Sequence, residues 1–213
     1  LLAIRRHDHM PGQWRFAMLA PLEKQNGKEG CAGLRPICLL DPMGKWQQAT
    51  LWKAGHQPVD PHSFGFVKGK RREEASIVAH ALILSLNRRH LQWALALLDI
   101  ANAFPSVTWP AADAAVRAAA RPNDCSLLNQ RYRTASILVQ GSDDGVCWTR
   151  PGTGTLQGET PAPQIVIGAY GEAHEAAGHA MRSLREDSLL AFVEPCTGAT
   201  VGLDRLRFAD DAA

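Results

Sequence analysis

Apolar and polar positions follow two rhythms along this chain. "QWRFAMLAPLEK" (13–24) has the content of a strand, and the polar, glycine-bearing "QNGKEGCAG" after it reads as a turn or loop. "LRPICLL" (34–40) is a second short apolar run, and its Pro36, which cannot donate to a ladder, predicts an edge or irregular strand. Asp41-Pro42 has the layout of a helix start, with Asp as N-cap and Pro at the first helical position. It predicts a helix through Lys53, stopped at Gly55. The basic loop "HQPVDPHSFGFVKGKRR" leads into "EEASIVAHALILSLNRR", a helical stretch from Glu73 that is acidic at its start and basic at its end, as the helix dipole prefers. "WALALLD" (93–99) predicts a buried strand, although its Ala and Leu content would also suit a helix. Helices follow from about Pro110 to Ala120 and from Asp124 to Ser136, broken at Pro122. "ILVQ-GSDD-GVCW" predicts a hairpin, 161–186 the longest helix, and "LLAFVE" and "RLRFAD" two late strands. There are no internal repeats, and the irregular alternation predicts an α+β or α/β layout.

At 213 residues the chain can form one large domain or two small ones. No apolar run reaches 18 residues and the N-terminus lacks a signal-peptide layout, so neither a membrane span nor secretion is expected. The opening Leu1, in place of Met, suggests a fragment. Five cysteines (Cys31, Cys38, Cys125, Cys147, Cys196) include no CxxC pair, which argues against a zinc ribbon or a disulfide framework and for a reduced compartment. Charge changes the picture more. Residues 1–98 hold 14 Lys and Arg against 7 Asp and Glu, whereas 99–213 hold 9 against 14. A basic first half and an acidic second half suit a protein that grips phosphates with one part and metal ions with the other. The step near residue 90 marks a candidate subdomain boundary, dividing 1–90 from 91–213.

The acidic half ends in "LRFADDAA". Asp210 closes a short apolar run, as Asp99 does in "LALLDIANAF". Strands that brought these carboxylates to one sheet edge would set like charges together, tolerable only with a cation between them. Two divalent ions about 3.5–4 Å apart, held by such carboxylates, are a device for in-line nucleotidyl transfer. Successive strand residues face opposite ways, so Asp210 is the expected primary ligand and Asp211 a helper. By itself "FADD" favours the plainer reading, a strand ending in a solvated turn. Other polar clusters point elsewhere. "HEAAGH" spaces its histidines by five, wrong for a zinc-protease helix. "HDH" (His7–His9) is a weak metal candidate in an N-terminus expected to fray, and "GSDDG" is a turn.

"LRPICLLDPMGK", "HSFGFVKGKRREEAS", "LALLDIANAFPSV", "GTLQGETPAP" and "LRFADDAA" occur in this order and spacing. Together, over about residues 14–213, they resemble the reverse transcriptase domain of non-LTR retrotransposons and, more distantly, group II intron-type enzymes. The resemblance implies an α+β right-hand polymerase: a fingers subdomain (1–90), then a palm (91–213) on a small antiparallel sheet. Asp99 would bind two Mg²⁺ ions (or Mn²⁺) with help from the Ile100 carbonyl, and Asp210 and Asp211 would complete the catalytic set. Phe104 would crowd the sugar 2′ position. Gln157 and Gly158 would lie beside the incoming nucleotide, Lys24 and Arg35 would grip its triphosphate, and Lys68, Lys70, Arg71 and Arg72 would contact the template backbone. The implied partners are an RNA template, a DNA or RNA primer and deoxynucleoside triphosphates, with no membrane. A nuclear or cytoplasmic location follows by family analogy. Pro105, Glu159 and Gln164 depart from the family's pattern. No return strand, palm lysine or thumb follows "FADD" in these residues, so the 213 residues alone are expected to be inactive. A decayed or non-catalytic remnant that at most binds RNA is the alternative.

Overall fold

The computed structural model describes residues 2–24, 27, 29–56, 63–93, 100, 102–141, 145–183, 191–193 and 200–202. In chain order its elements are α1 (Leu2–His7), β1 (Phe16–Glu23), β2 (Leu34–Leu40), α2 (Pro42–Lys53), α3 (Arg72–Arg88), α4 (Ala103–Ser106), α5 (Trp109–Ala119), α6 (Cys125–Arg133), β3 (Ser136–Gln140), β4 (Val146–Thr149), α7 (Ala162–Ala169), α8 (Gly171–Ser183), β5 (Ala191–Val193) and β6 (Thr200–Gly202). They pack as two units interleaved in sequence: residues 1–58 with 102–169, and 59–101 with 170–213.

In the first unit, local chemistry starts and stops the elements as expected. The Asp41 side chain accepts the Gly44 N–H at 2.9 Å, and Pro42 opens α2. Thr108 caps α5 in the same way. The four strands lie in the order β2-β1-β3-β4, with β2 at an edge as its Pro36 requires. The sheet is mixed and not purely antiparallel: β1 pairs antiparallel with β2, but parallel with β3 through Phe16–Met18 against Ser136–Leu138. A parallel pair needs a long crossover, and the hundred-odd residues between β1 and β3 leave room for one. The expected helix from Asp124 to Ser136 ends at Arg133, because Ser136 is taken into β3. The hairpin β3–β4 is present.

Helices α2, α5, α6 and α7 build the core of this unit. Leu51 and Trp52 of α2, Val116 of α5, Leu127 and Leu128 of α6, and Ile165 of α7 are buried together with Met10, Ala17 and Ile137. Each large apolar side chain so enclosed stabilises the unit by roughly 1.5–3 kcal/mol before the entropy cost. The N-terminus is anchored, contrary to the fraying expected at "HDH". Arg5 makes a two-pronged pair with Asp124, at 2.8 and 2.6 Å, and Gln130 hydrogen-bonds both Asp8 and Met10.

Tyr132 is buried, with its hydroxyl 2.6 Å from Asn129 Oδ1 and 3.1 Å from Asp113 Oδ1. Burial first, then the Asp113 carboxylate, push its phenol far above the ordinary value of 10.0. The Cys38 thiol is likewise pushed up from 9.0, by burial and then by Glu159, with Arg131 opposing. Both groups keep their protons in the folded state at pH values where the unfolded chain releases them. Their contribution is complete below pH 9.0 and declines as pH rises through the alkaline range. Each then costs up to about 1.4 kcal/mol of stability per pH unit. Urea midpoints measured from pH 7 to 11 should be level to about pH 9 and then fall, and Tyr132→Phe should flatten the part above pH 10. A Tyr132→Phe profile that overlays the parent up to pH 11 would contradict this.

The second unit holds α3, α8 and the antiparallel pair β5–β6. The helix expected from Glu73 starts at Arg72 and is the longest one described, with 17 residues. The pattern over 161–186 is two helices, α7 and α8, that meet at Tyr170. β5 falls inside the expected "LLAFVE" strand, whereas β6 was not foreseen. The strands expected at "WALALLD" and "RLRFAD" lie, Trp93 apart, outside the described residues. No helix among the described residues is long and apolar enough to cross a membrane.

Candidate active site

Backbone hydrogen bonds tie together three segments of the first unit that the sequence singled out separately. The first is the β1–β2 hairpin. Arg35, half-buried, stands opposite Leu22 in the ladder, and Lys24 follows β1 with its N–H on the Gly33 carbonyl at 2.7 Å. Both cations therefore sit where the hairpin opens into its loop.

The second segment is α4, a single turn that the sequence reading did not anticipate. Asn102 enters it in the left-handed region (φ 54°), and Ala103 buries its methyl. Phe104 is half-buried. Pro105 departs from the expected pattern at little structural cost, because the first-turn N–H groups of a helix have no intrahelical acceptor.

The third segment is the Gly154–Glu159 turn before α7. Gly154 N–H and the Thr153 hydroxyl both donate to the Val107 carbonyl at 2.8 Å, and Thr155 N–H donates to the Phe104 carbonyl at 2.9 Å. The close approach leaves no room at Gly154, where a Cβ would fall 2.6 Å from Pro105 Cα. Two residues further on, the Gln157 carbonyl accepts the Cys38 N–H of β2 at 2.8 Å. Gly158 has φ +112°, and a Cβ there would meet the Cys38 carbonyl oxygen at 2.7 Å. The turn is thus clamped between α4 and β2, which brings the Phe104 segment, the Gln157–Gly158 turn and the Arg35 strand into one cluster.

Beneath the turn, Arg131 Nε donates to Glu159 Oε2 at 2.8 Å, with both side chains almost fully buried. Sequence reasoning took Glu159 only as a departure and missed Arg131, since an arginine in "QRYR" on an amphipathic helix looks like a surface residue.

The remaining sequence-predicted residues that are described belong to the second unit. Ile100 is half-buried outside regular structure. Lys68, Arg71 and Arg72 are exposed on the approach to α3, and the Lys70 ammonium lies over the Phe64 ring at 4.8 Å. Arg71 N–H bonds the Glu74 carboxylate at 3.2 Å, which holds the start of α3. Asp99, Asp210 and Asp211 lie outside the described residues. Among the described residues, no group of three or more His, Cys, Asp or Glu is placed to hold a metal ion.

The fold is reverse-transcriptase-like. No family model and no curated protein matches the sequence, but solved structures of telomerase are similar to this fold. Apo telomerase from Candida tropicalis matches with a TM-score of 0.55 and 11% identity over 95% of this chain and 39% of that one. Its form truncated from the C-terminal domain matches with a TM-score of 0.52 and 11% identity, over 89% of this chain and 44% of that one. Telomerase from the same organism in complex with the TWJ fragment of telomeric RNA matches with a TM-score of 0.51 and 10% identity, over 90% of this chain and 36% of that one. The chain therefore spans less than half the length of each of these structures.

Proposed function

We propose that the chain is an RNA-directed DNA polymerase domain of retroelement type, adding deoxynucleotides to a primer 3′-hydroxyl. The observation that carries the reading is the clamped turn: three segments with nucleotide-contacting roles in reverse transcriptases are bonded to one another at Cys38–Gln157 and Phe104–Thr155. The likeness to telomerase, one of whose structures holds an RNA fragment, supports an RNA template. In this reading 1–90 serve as fingers and 91–213 as palm.

The chain's own groups divide the work. Arg35 offers a planar fork and Lys24 a mobile point charge to triphosphate oxygens. Phe104 stands against the sugar 2′ position, while Gln157 and the bare Gly158 backbone accept the base pair being formed. Lys68, Lys70, Arg71 and Arg72 hold the template through its phosphates, without sequence preference. Asp99, Asp210 and Asp211, with the Ile100 carbonyl, form a donor set of hard oxygens suited to Mg²⁺ or Mn²⁺. Two such ions, when bound, would supply activation of the primer hydroxyl and stabilisation of charge on the leaving phosphates.

The test is primer extension on an RNA template with all four deoxynucleotides and Mg²⁺. Extension is expected from the full-length product of the gene, with Asp99→Asn lowering the rate about a thousandfold or more, a loss of roughly 4 kcal/mol in transition-state stabilisation. Binding of template-primer without any extension would sink the polymerase reading and favour an RNA-binding remnant.

A further inference from the structure

A nest of buried polar side chains lies under the Gln157–Gly158 turn. Arg131 and Glu159 are joined by Gln48, which is fully buried and donates to the Leu127 carbonyl at 3.2 Å, and by buried Thr155. All four line one pocket of about 10 Å³, together with apolar neighbours such as Leu128 and Ile165. Arg131 Nη1 and Nη2, Glu159 Oε1, Thr155 Oγ1 and Gln48 Oε1 are buried and find no hydrogen-bond partner among the described residues. A pocket of that size is at the lower limit for one water molecule, which could bond several of these atoms at once.

A buried ion pair is seldom kept for stability, because desolvation consumes most of its attraction. The placement of this one suggests what else it does. Glu159 directly follows Gly158, and its N–H closes the turn on the Leu156 carbonyl at 3.0 Å. Its own carbonyl accepts the Ala162 N–H, at 3.3 Å, as α7 begins. Holding the Glu159 side chain therefore holds the turn. Arg131 is itself held: its guanidinium fills the space left by Gly44 of α2, where a Cβ would lie 2.8 Å from Nη1. Support thus passes from α2 through α6 to Glu159 and the turn.

We infer that Arg131 is a positioning residue that acts through Glu159, with one buried water completing the guanidinium's bonds, to seat the Gln157–Gly158 turn on Cys38 and thereby set the affinity for the incoming nucleotide. The last clause rests on the polymerase reading; the seating of the turn does not.

The paired variant Arg131→Met/Glu159→Leu tests this, because it removes both charges while keeping core volume, so stability is largely retained. A merely structural pair would then be fully replaced. The inference instead expects the Cys38 amide, bonded to Gln157, to exchange its hydrogen about tenfold faster, while the amides of the β1–β2 ladder exchange as before. In extension assays KM for the deoxynucleotide should rise about tenfold, with kcat little changed. Arg131→Lys retains the charge but loses the planar fork, and should fall between parent and paired variant; it also serves if the paired variant does not fold. Unchanged Cys38 exchange in a folded variant overturns the inference. Faster exchange with an unchanged KM overturns its nucleotide clause. Faster exchange in a protein whose parent never extends a primer upholds the seating and removes the polymerase reading instead.

Discussion

Arg131→Met alone should cost the first unit about 3–5 kcal/mol, far more than removing both charges together. The single substitution leaves the Glu159 carboxylate, 6% exposed, buried without its guanidinium. Its Oε2 loses the 2.8 Å bond from Arg131 Nε, and its Oε1 already lacks a partner among the described residues. Met fills most of the vacated volume, so the penalty is electrostatic and not a cavity effect. At about 2–4 °C per kcal/mol for a domain of this size, the melting temperature should drop by roughly 6–20 °C. Chemical denaturation of the single and paired variants would show the contrast, and a loss below about 1 kcal/mol for the single variant would mean that Glu159 is solvated or partnered elsewhere.

Gly158→Ala should cost about 3 kcal/mol and act directly on the site. At φ +112° an L side chain is strained, a term of roughly 1–3 kcal/mol. The added methyl would also press on the Cys38 carbonyl oxygen at 2.7 Å, a backbone atom that cannot rotate aside. Relief requires the turn to lift from β2, which breaks the Cys38–Gln157 bond. The expected signature is a lower denaturation midpoint, faster exchange at Cys38 and, on the polymerase reading, weaker nucleotide binding. Gly152→Ala is the matched control: nothing lies within 4 Å of its added methyl, so its effect should stay within about 0.5 kcal/mol. Equal effects from the two substitutions would show that the close approach at Gly158 carries no weight.

The elements that could be read from the sequence are those decided by residues close together in the chain. Asp41 and Pro42 start α2 because a carboxylate beside free N–H groups, and a ring without an N–H, act within one turn. Pro36 puts β2 at an edge for an equally local reason, and the acidic-to-basic run marks α3. The five ordered motifs also pointed to a reverse-transcriptase-like fold, which the likeness to telomerase supports. Tertiary structure alone decided the rest. The parallel pairing of β1 with β3 joins segments far apart in sequence, and a short apolar run carries no mark of its partner or of that partner's direction. The turn at α4 is bonded to Thr155, far along the chain. Nor could the sequence distinguish Arg131 from a solvated arginine. Only the fold, by closing α2, α6 and the Glu159 turn around it, takes its guanidinium out of water and makes it a support for the site.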